Sequence, residues 1–422
     1  MKRGFANICR KIYNILHNDS FKETYRMQDK DFTRNRKLGF GDLCMMILRG
    51  SKNGLQAGIN EFLKEVNSET QSYSNAAFCK ARQKISPDAF KHLTDVTVQE
   101  YYNNARNIRL HKGYRVFAID GSDFNLPNTE SLFEVFGSEK YQEKIQVQAQ
   151  VSCMYDVLNN FIVDARMEPF NTSERVLAEK HLQSFSFHVP GKDLVLMDRG
   201  YPSEDLLKSL ENQGYKYVLR TNKAEFFREV RKVTESDAII QRECRDKTIL
   251  KIRVVTVQLD NGVVETLLTN LFDVNLMPKD FAEIYRLRWS IETAYGRLKN
   301  QFRIEDFTGV TPISVMQDFH ATIFLANLLT FLEDECKKEL AEINNDEDLK
   351  YQYKINSALA ISTLKKNVVE LLMTSSKRSF MKEMKRIRSD LLKCLIPVRP
   401  GRHFDRVKKH RSLRYPQNNK LS

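Results

Sequence analysis

The spacing of apolar residues predicts helices at both ends of the chain and a sheet in the middle. Up to about residue 112, apolar side chains recur at helical intervals, as in Leu38 to Leu48 and Leu55 to Val66, without alternating runs. From Tyr114 the pattern changes to short β-rich runs, and from Ile313 the helical spacing returns. The sequence therefore predicts helical N- and C-terminal regions around a centre that contains a sheet.

Strands and helices alternate in the predicted centre. Their order is strands at Tyr114 to Ile119, Gln146 to Tyr155 and Asn160 to Met167, a helix at Thr172 to Ser184, a strand at Leu194 to Met197, a helix at Ser203 to Asn212 and a strand at Tyr217 to Arg220. This order predicts a mixed α/β sheet. Two further strands, Ile249 to Leu259 and Val263 to Leu268, flank the hairpin turn Asp260-Asn261-Gly262 and predict a β-rich insertion. A long helix is then predicted from Pro278 to about Asn300.

The composition limits the cellular setting. The seven cysteines stand singly, without a C-x-x-C pair or a histidine at zinc-ligand spacing, so we expect reduced thiols in a cytosol. Met1 to Asn18 lacks the apolar block of an export signal. The longest apolar stretch, Ala321 to Leu332, is shorter than the ~20 residues of a membrane span. We therefore expect a cytoplasmic protein with no membrane partner.

Positive charge is concentrated near the C-terminus. The formal net charge is +13, and from Lys377 to Arg414 fourteen basic residues stand against Glu383, Asp390 and Asp405, a net of +11. Such a segment fits the phosphate backbone of nucleic acid. A solvated tail that only improves solubility is the alternative.

A second candidate contact with nucleic acid lies in the helical N-terminal region. Ser86 followed by Pro87 predicts the start of a helix, so two short helices are expected to meet at a turn here. Arg82 and Lys84 precede that turn, and we predict that they contact DNA. A helical hairpin that merely displays two surface cations is the alternative.

Two aspartates follow predicted strands and are candidates for chemistry. Asp120 and Asp198 each end a predicted strand, and each is followed by a segment with a glycine, Gly121-Ser122 or Arg199-Gly200-Tyr201. Ligands of open α/β sheets usually bind beyond the carboxyl ends of the strands, so both carboxylates would face one cleft. Because Asp-Gly is also a common turn dipeptide, ordinary turn chemistry is the alternative for each.

The predicted helix from Pro278 to Asn300 carries a polar stripe at helical spacing. Tyr285, Arg288, Glu292 and Lys299 are separated by three, four and seven residues and fall on one narrow face beside the apolar face. A glutamate on that border can reach a cleft at the edge of the sheet without complete desolvation. A solvated amphipathic helix with ordinary charge pairs is the alternative.

These residues resemble a known family, the bacterial insertion sequence 4 type of transposases, which has an Asp-Asp-Glu triad and a Tyr-x2-Arg-x3-Glu-x6-Lys signature. Tyr285, Arg288, Glu292 and Lys299 match that signature at its spacing. The segments Asp120-Gly121-Ser122, Asp198-Arg199-Gly200-Tyr201 and Leu267 to Leu271 resemble the family's surroundings of the first and second catalytic aspartates and the segment before the helix. The resemblance covers about Val116 to Phe307.

The resemblance implies a ribonuclease-H-like core and a DNA transposase that depends on metal ions. The implied roles are catalysis and metal binding for Asp120, Asp198 and Glu292, and contact with DNA phosphates for Tyr285, Arg288 and Lys299. Three carboxylates at one edge suit Mg²⁺, with two ions in the site and Mn²⁺ able to substitute. Water would free a 3′-hydroxyl at the element's end, and that hydroxyl would then attack target DNA.

The implied partners are double-stranded DNA, as element ends and as target, and a second copy of the chain when two ends are synapsed. Some members stack a flipped base on a tryptophan of the β insertion, and here the chain departs from the family. Its single tryptophan, Trp289, lies on the predicted helix instead, and we interpret it as a packing residue beside the site.

Together these inferences divide the chain into five parts within the α/β class. They are a helical DNA-binding domain at 1–112, the first part of a ribonuclease-H-like catalytic core at 113–220, a β-rich insertion at 221–276, the rest of the core with the helix of Glu292 at 277–310, and a helical region with a basic tail at 311–422.

Two other classes of protein fit parts of the pattern. A DNA nuclease of the ribonuclease-H fold would use the same carboxylates to cut without joining strands. A DNA-binding regulator would use only the helical N-terminus and the basic tail, and the intact triad argues against it.

Overall fold

The computed structural model describes residues 4–34, 37–50, 54–66, 72–104, 108–141, 144–224, 226–258, 262–374 and 376–399. The turn residues Asp260 and Asn261 and the basic residues after Arg399 lie outside these ranges. The helices are α1 (Gly4–Leu16), α2 (Asp19–Tyr25), α3 (Phe40–Arg49), α4 (Leu55–Val66), α5 (Asn75–Arg82), α6 (Asp88–Asn104), α7 (Glu130–Phe136), α8 (Glu174–Ser184), α9 (Glu204–Gln213), α10 (Arg228–Arg231), α11 (Pro278–Arg286), α12 (Trp289–Asn300), α13 (Pro312–Glu335), α14 (Lys337–Asn344), α15 (Ser357–Met373) and α16 (Lys377–Lys393). The strands are β1 (Arg115–Asn125), β2 (Ser138–Tyr141), β3 (Lys144–Asp156), β4 (Phe161–Pro169), β5 (Asp193–Met197), β6 (Lys216–Thr221), β7 (Asp237–Glu243), β8 (Ile249–Gln258), β9 (Val264–Thr269), β10 (Tyr353–Lys354) and β11 (Ile396–Pro397).

The chain divides into two compact units. Unit 1 comprises Met1–Asn104, Phe124–Ala149 and Arg297–Ser422, and unit 2 comprises Ala105–Asp123 and Gln150–Gly296. Helices occupy the N- and C-terminal regions and a mixed sheet occupies the centre, so the predicted α/β class is confirmed. The five-part domain division stays a prediction.

The central sheet is mixed, and its strands lie in the order β2, β3, β1, β5, β6, β9, β8 and β7, with β4 paired to β3 off this path. Strand β5 pairs in parallel with β1 and with β6, whereas β9 runs antiparallel to β6. The apolar run of β5 is buried along its whole length, as is typical of a central parallel strand covered on both faces. The predicted insertion thus extends the main sheet instead of forming a separate layer.

A buried ion pair sets the register of β1 against β5. Arg115 and Asp193 are register partners, and the Arg115 Nε lies 2.6 Å from Asp193 Oδ1. His188 Nδ1 and the Val189 backbone N–H also contact the second carboxylate oxygen, each at 2.8 Å. Because a charged pair buried in this way is costly to break, it favours one alignment of the two strands.

Unit 1 is helical and is built around α13. This helix packs against α1, α3, α6 and α15 and is buried along most of its length. In length and composition α13 could cross a membrane, yet 89% of its most apolar stretch is buried inside the fold. Such burial is what the core helix of a helical unit shows.

The structure differs from the prediction at a long helix and at an edge strand of the sheet. The helix predicted from Pro278 to Asn300 is two helices, α11 and α12, separated by Leu287 and Arg288. At this break the N–H groups of both residues bond to carbonyls three residues earlier, which tightens the turn and ends the α-helical ladder. Strand β7 was not predicted, because it is a half-exposed edge strand whose residues Asp237 to Glu243 lack a regular alternation of apolar and polar side chains.

Candidate active site

Asp120 lies inside a strand and not at its end. The prediction that the strand stops at Asp120-Gly121-Ser122 was wrong, because β1 continues to Asn125. The Asp120 carbonyl accepts hydrogen bonds from the Tyr295 hydroxyl at 2.8 Å and from the Ser152 hydroxyl at 3.2 Å. These two bonds fix the backbone from which the carboxylate projects.

Asp198 follows the last residue of β5, as predicted. Ala118 of β1 is the register partner of Leu196, so continuing the register by two residues brings Asp120 opposite Asp198. Neighbouring strands are only about 4.8 Å apart, which puts both carboxylates at one place on the sheet. Nearby, the Tyr285 hydroxyl lies 3.5 Å and the Arg220 guanidinium 3.7 Å from Asp198 Oδ1.

Arg288 connects Glu292 with the aspartates. Its guanidinium lies 2.9 Å from Glu292 Oε1 and 3.3 Å from Asp120 Oδ2, and its side chain is only 3% exposed. Glu292, in the first turn of α12, is 43% exposed and lies at the open side of the cluster. The structure therefore brings Asp120, Asp198 and Glu292 together around one buried arginine.

The three carboxylates are electrostatically coupled. Burial raises the pKa of Asp120 to about 6, although the Arg288 guanidinium and the Gly121 backbone N–H oppose this rise. The charges of Asp198 and Glu292 contribute to this rise together with burial. A cation bound among these groups would relieve the repulsion and favour the ionised carboxylate.

We expect Asp120→Asn to increase the free energy of unfolding of the metal-free protein by ~2 kcal/mol near pH 8, since it removes a buried charge. The folded protein holds the Asp120 proton more tightly than the unfolded chain, so stability falls as pH rises from about 4 to about 6. Asparagine removes that part of the pH dependence. Urea unfolding at pH 5 and pH 8 measures both effects.

The matched control is Asp123→Asn, which removes a carboxylate from the same strand. A loss of stability in Asp120→Asn at pH 8, or an unchanged pH dependence, contradicts the electrostatic account of this site.

The donor set suits a hard divalent cation. Carboxylate oxygens are the ligands that Mg²⁺ prefers, and those of the triad are crowded enough to perturb one another. Among the described residues, no group of three Asp, Glu, His or Cys side chains is arranged so that it could hold an ion. The guanidinium of Arg288 bridges Asp120 and Glu292. The residues nevertheless fit the ion chemically, through their carboxylate oxygens.

The aromatic neighbours of Arg288 differ in exposure. Tyr285 is 1% exposed, so its hydroxyl near Asp198 suits positioning of that aspartate better than the predicted contact with phosphate. Trp289 is 47% exposed, with the Arg288 guanidinium 4.7 Å from its ring centre. Trp289 thus packs against Arg288 beside the site with about half of its side chain exposed, and its interpretation as a packing residue stays a prediction.

Lys299, the last residue of the predicted signature, belongs to unit 1. Its ammonium lies 4.0 Å from Glu305 Oε1 and 4.7 Å from the centre of the Phe124 ring. Contact between Lys299 and DNA phosphate stays a prediction.

The two cations predicted at the N-terminal turn have different environments. Arg82 is 1% exposed and forms an ion pair with Asp318 at 3.0 Å, so the prediction that it contacts DNA was wrong. Lys84 is 41% exposed and its ammonium lies 2.8 Å from Asp31. A contact between Lys84 and DNA stays a prediction.

Sequence reasoning missed one carboxylate at the site. Glu174, in the first turn of α8, has its carboxylate beside Gly121 and Gly200, which follow the two aspartates. Its position after Ser173 is typical of any helix start, so the sequence offered no specific sign of it.

Comparison with known proteins covers this whole cluster. Residues 111–328 match the family model described as a transposase DDE domain. The putative transposase InsZ of Escherichia coli (strain K12) is 28% identical over 144 residues, which are 33% of this chain and 47% of that protein. The match thus spans about half the length of this relative. A solved structure, the cryo-EM synaptic complex of piggyBac transposase with hairpin DNA, is 11% identical with a TM-score of 0.46, covering 96% of this chain and 88% of that one.

Proposed function

Since the chain belongs to the transposase DDE domain family, we propose that it binds the ends of a mobile element, frees 3′-hydroxyls by hydrolysis and transfers them into target DNA. The main support is the meeting of Asp120, Asp198 and Glu292 around Arg288. We further propose a ribonuclease-H-like core of the insertion sequence 4 type, because the Tyr-Arg-Glu-Lys spacing is present.

In this proposal the three carboxylates hold Mg²⁺, probed equally well by Mn²⁺, and the site takes two ions. When bound, the ions supply charge stabilisation to the attacking and leaving oxygens of an in-line displacement. Asp120 and Asp198 project from adjacent strands with a fixed register, so their separation is set by the sheet. Glu292 approaches from a helix at the open side of the cluster, where DNA can reach it.

Arg288 has a second role in the proposal. Its guanidinium pairs with the carboxylates of Asp120 and Glu292. Once those carboxylates bind cations, its planar guanidinium can bind a DNA phosphate through two parallel hydrogen bonds. The same side chain thus holds the carboxylates together and positions the scissile strand.

Helix α16 offers a surface for the DNA backbone. Its apolar side chains are buried on one face, and Arg378, Lys382 and Lys385 are exposed on the opposite face. The acidic residues of this helix, Glu383 and Asp390, pair with Arg386. A row of exposed cations suits the phosphates of duplex DNA.

We expect replacement of Arg378, Lys382 and Lys385 by glutamine to lower the affinity for DNA and to make that affinity less dependent on salt concentration. Each phosphate contact contributes about 0.9 to the slope of log K against log salt, so the slope should decrease by roughly 2 to 3. Fluorescence anisotropy with a labelled duplex at several salt concentrations measures it.

The control replaces three exposed lysines from other helices and loops, Lys30, Lys64 and Lys338, with glutamine. It removes the same total charge. Equal slopes for both variants contradict a DNA-binding face on α16.

The proposal also includes a dimer when two ends are synapsed on DNA, and a cytoplasmic, nucleoid-associated location. Both are expectations for a protein that joins two DNA ends inside a bacterial cell. Sedimentation of the chain with and without end DNA tests the first of them.

DNA cleavage tests the proposed reaction. Purified protein is incubated with labelled DNA that carries the ends flanking its coding sequence, in Mg²⁺ or in EDTA. The proposal predicts Mg²⁺-dependent nicks at the ends that leave 3′-hydroxyls. Cleavage without joining favours a nuclease, and binding without cleavage by folded protein favours a regulator.

A further inference from the structure

The carboxylate of Glu174 is packed between the segments that carry the two aspartates. A Cβ atom on Gly121 would lie 2.3 Å from Glu174 Oε1, and one on Gly200 would lie 3.8 Å from Oε2. Gly121 directly follows Asp120, and Gly200 comes two residues after Asp198. Any larger residue at 121 would displace the carboxylate, so the glycine there makes room for Glu174.

No cation compensates Glu174 within the described residues. Its carboxylate accepts a long hydrogen bond from the Gln150 side-chain amide, at 3.4 Å. Arg288 pairs with Asp120 and Glu292, not with Glu174. Burial, and then the charges of Asp120, Asp123 and Asp198, raise the pKa of Glu174. A half-buried carboxylate in this position costs free energy unless a cation joins it.

A second buried polar group, the Tyr201 hydroxyl, lies in the field of the same carboxylates. Tyr201 is 1% exposed, and its hydroxyl has no hydrogen-bond partner in the described structure. Burial raises the pKa of Tyr201, and the carboxylates of Glu174, Asp120 and Asp198 raise it further, so the hydroxyl lies within their field. A buried donor without a partner is costly, which indicates that the cleft is shaped to receive an additional group.

We propose that Glu174 is a fourth carboxylate ligand of the divalent-cation site, acting with Asp120 and Asp198. This inference rests on the proposed function, because it adds to the same site. Glu174 reaches the ion by rotation of its own side chain, and the absence of a Cβ at residue 121 keeps that path open. The Tyr201 hydroxyl then donates a hydrogen bond to a carboxylate oxygen or to a phosphate oxygen at the ion site.

Binding of Mn²⁺ to the intact metal-free protein tests the proposal without an activity assay. Free Mn²⁺ is measured by electron paramagnetic resonance during titration of the wild type, Glu174→Gln and Glu174→Asp. Ligation predicts that both variants bind Mn²⁺ about ten-fold more weakly or worse, since glutamine removes the charge and aspartate shortens the reach. The unfolding temperature of metal-free Glu174→Gln should be equal to or above that of the wild type, because a repelled charge is removed.

Two further variants distinguish a failure of the Glu174 proposal from a failure of the proposed function. Glu179→Gln removes a carboxylate from the same helix and should bind Mn²⁺ like the wild type. Asp198→Asn should bind it weakly, and wild-type affinity in this variant contradicts the proposed function itself. If Glu174→Gln binds Mn²⁺ with wild-type affinity, the proposal for Glu174 fails while the proposed function stands. Wild-type affinity of Glu174→Asp for Mn²⁺ also overturns the proposal, because only the charge of residue 174 would then matter.

Discussion

Replacement of Glu292 by glutamine is expected to slow DNA cleavage and strand transfer by about 10³-fold, or ~4 kcal/mol of activation free energy. Glutamine has nearly the shape of glutamate and can still accept a hydrogen bond from Arg288, but it lacks the charge that a divalent cation requires. Rates on labelled end DNA, measured at saturating protein, give the size of the loss.

Glu283→Gln, on the exposed side of α11, is the matched control and should cleave like the wild type. The thermal unfolding of Glu292→Gln should resemble that of the wild type, since the glutamine oxygen can still accept the hydrogen bond from Arg288. A Glu292→Gln protein that is folded and cuts DNA at nearly the wild-type rate contradicts the assignment of Glu292.

Replacement of Arg82 by alanine is expected to lower the free energy of unfolding by about 3 to 5 kcal/mol, the usual loss when one partner of a buried ion pair is removed. The Arg82 guanidinium bonds to Asp318 at 3.0 Å, Gln317 at 2.9 Å and Thr308 at 2.8 Å. These contacts tie α5 to α13 within unit 1. Urea unfolding followed by circular dichroism measures the change.

Lys84→Ala provides the comparison for Arg82. Lys84 is 41% exposed but the side chain of its partner Asp31 is 5% exposed, so loss of Lys84 leaves a buried carboxylate and should cost about 1 to 3 kcal/mol, less than loss of Arg82. If Arg82→Ala keeps wild-type stability and loses DNA affinity instead, Arg82 acts at the surface and the structural account of it fails.

The strands and helices nearest the aspartates could largely be predicted from the sequence. The apolar run of β5 is short, continuous and followed by Asp198, so its end was readily located. The signature spacing alone predicts Glu292 and Arg288 as site residues, and the two side chains are in contact. These features depend on local patterns, which a single sequence carries directly.

Features that depend on distant contacts could not be predicted. Gly121 suggested a turn, but the glycine is needed because Glu174, far along the chain, approaches its Cα. Arg82 resembled a surface cation, and its burial depends on Asp318 of α13, 236 positions away. The break between α11 and α12 likewise has no glycine or proline to announce it.

Strand transfer from an already cut end tests the central claim most directly. A labelled duplex with a free 3′-hydroxyl at the element's end is incubated with supercoiled plasmid, Mg²⁺ and either wild-type protein or Asp198→Asn. The account predicts that label becomes covalently joined to the plasmid with the wild type and Mg²⁺, and not in EDTA or with Asp198→Asn. Folded wild-type protein that binds both DNAs in Mg²⁺ without joining them, or joining that persists in Asp198→Asn, contradicts it.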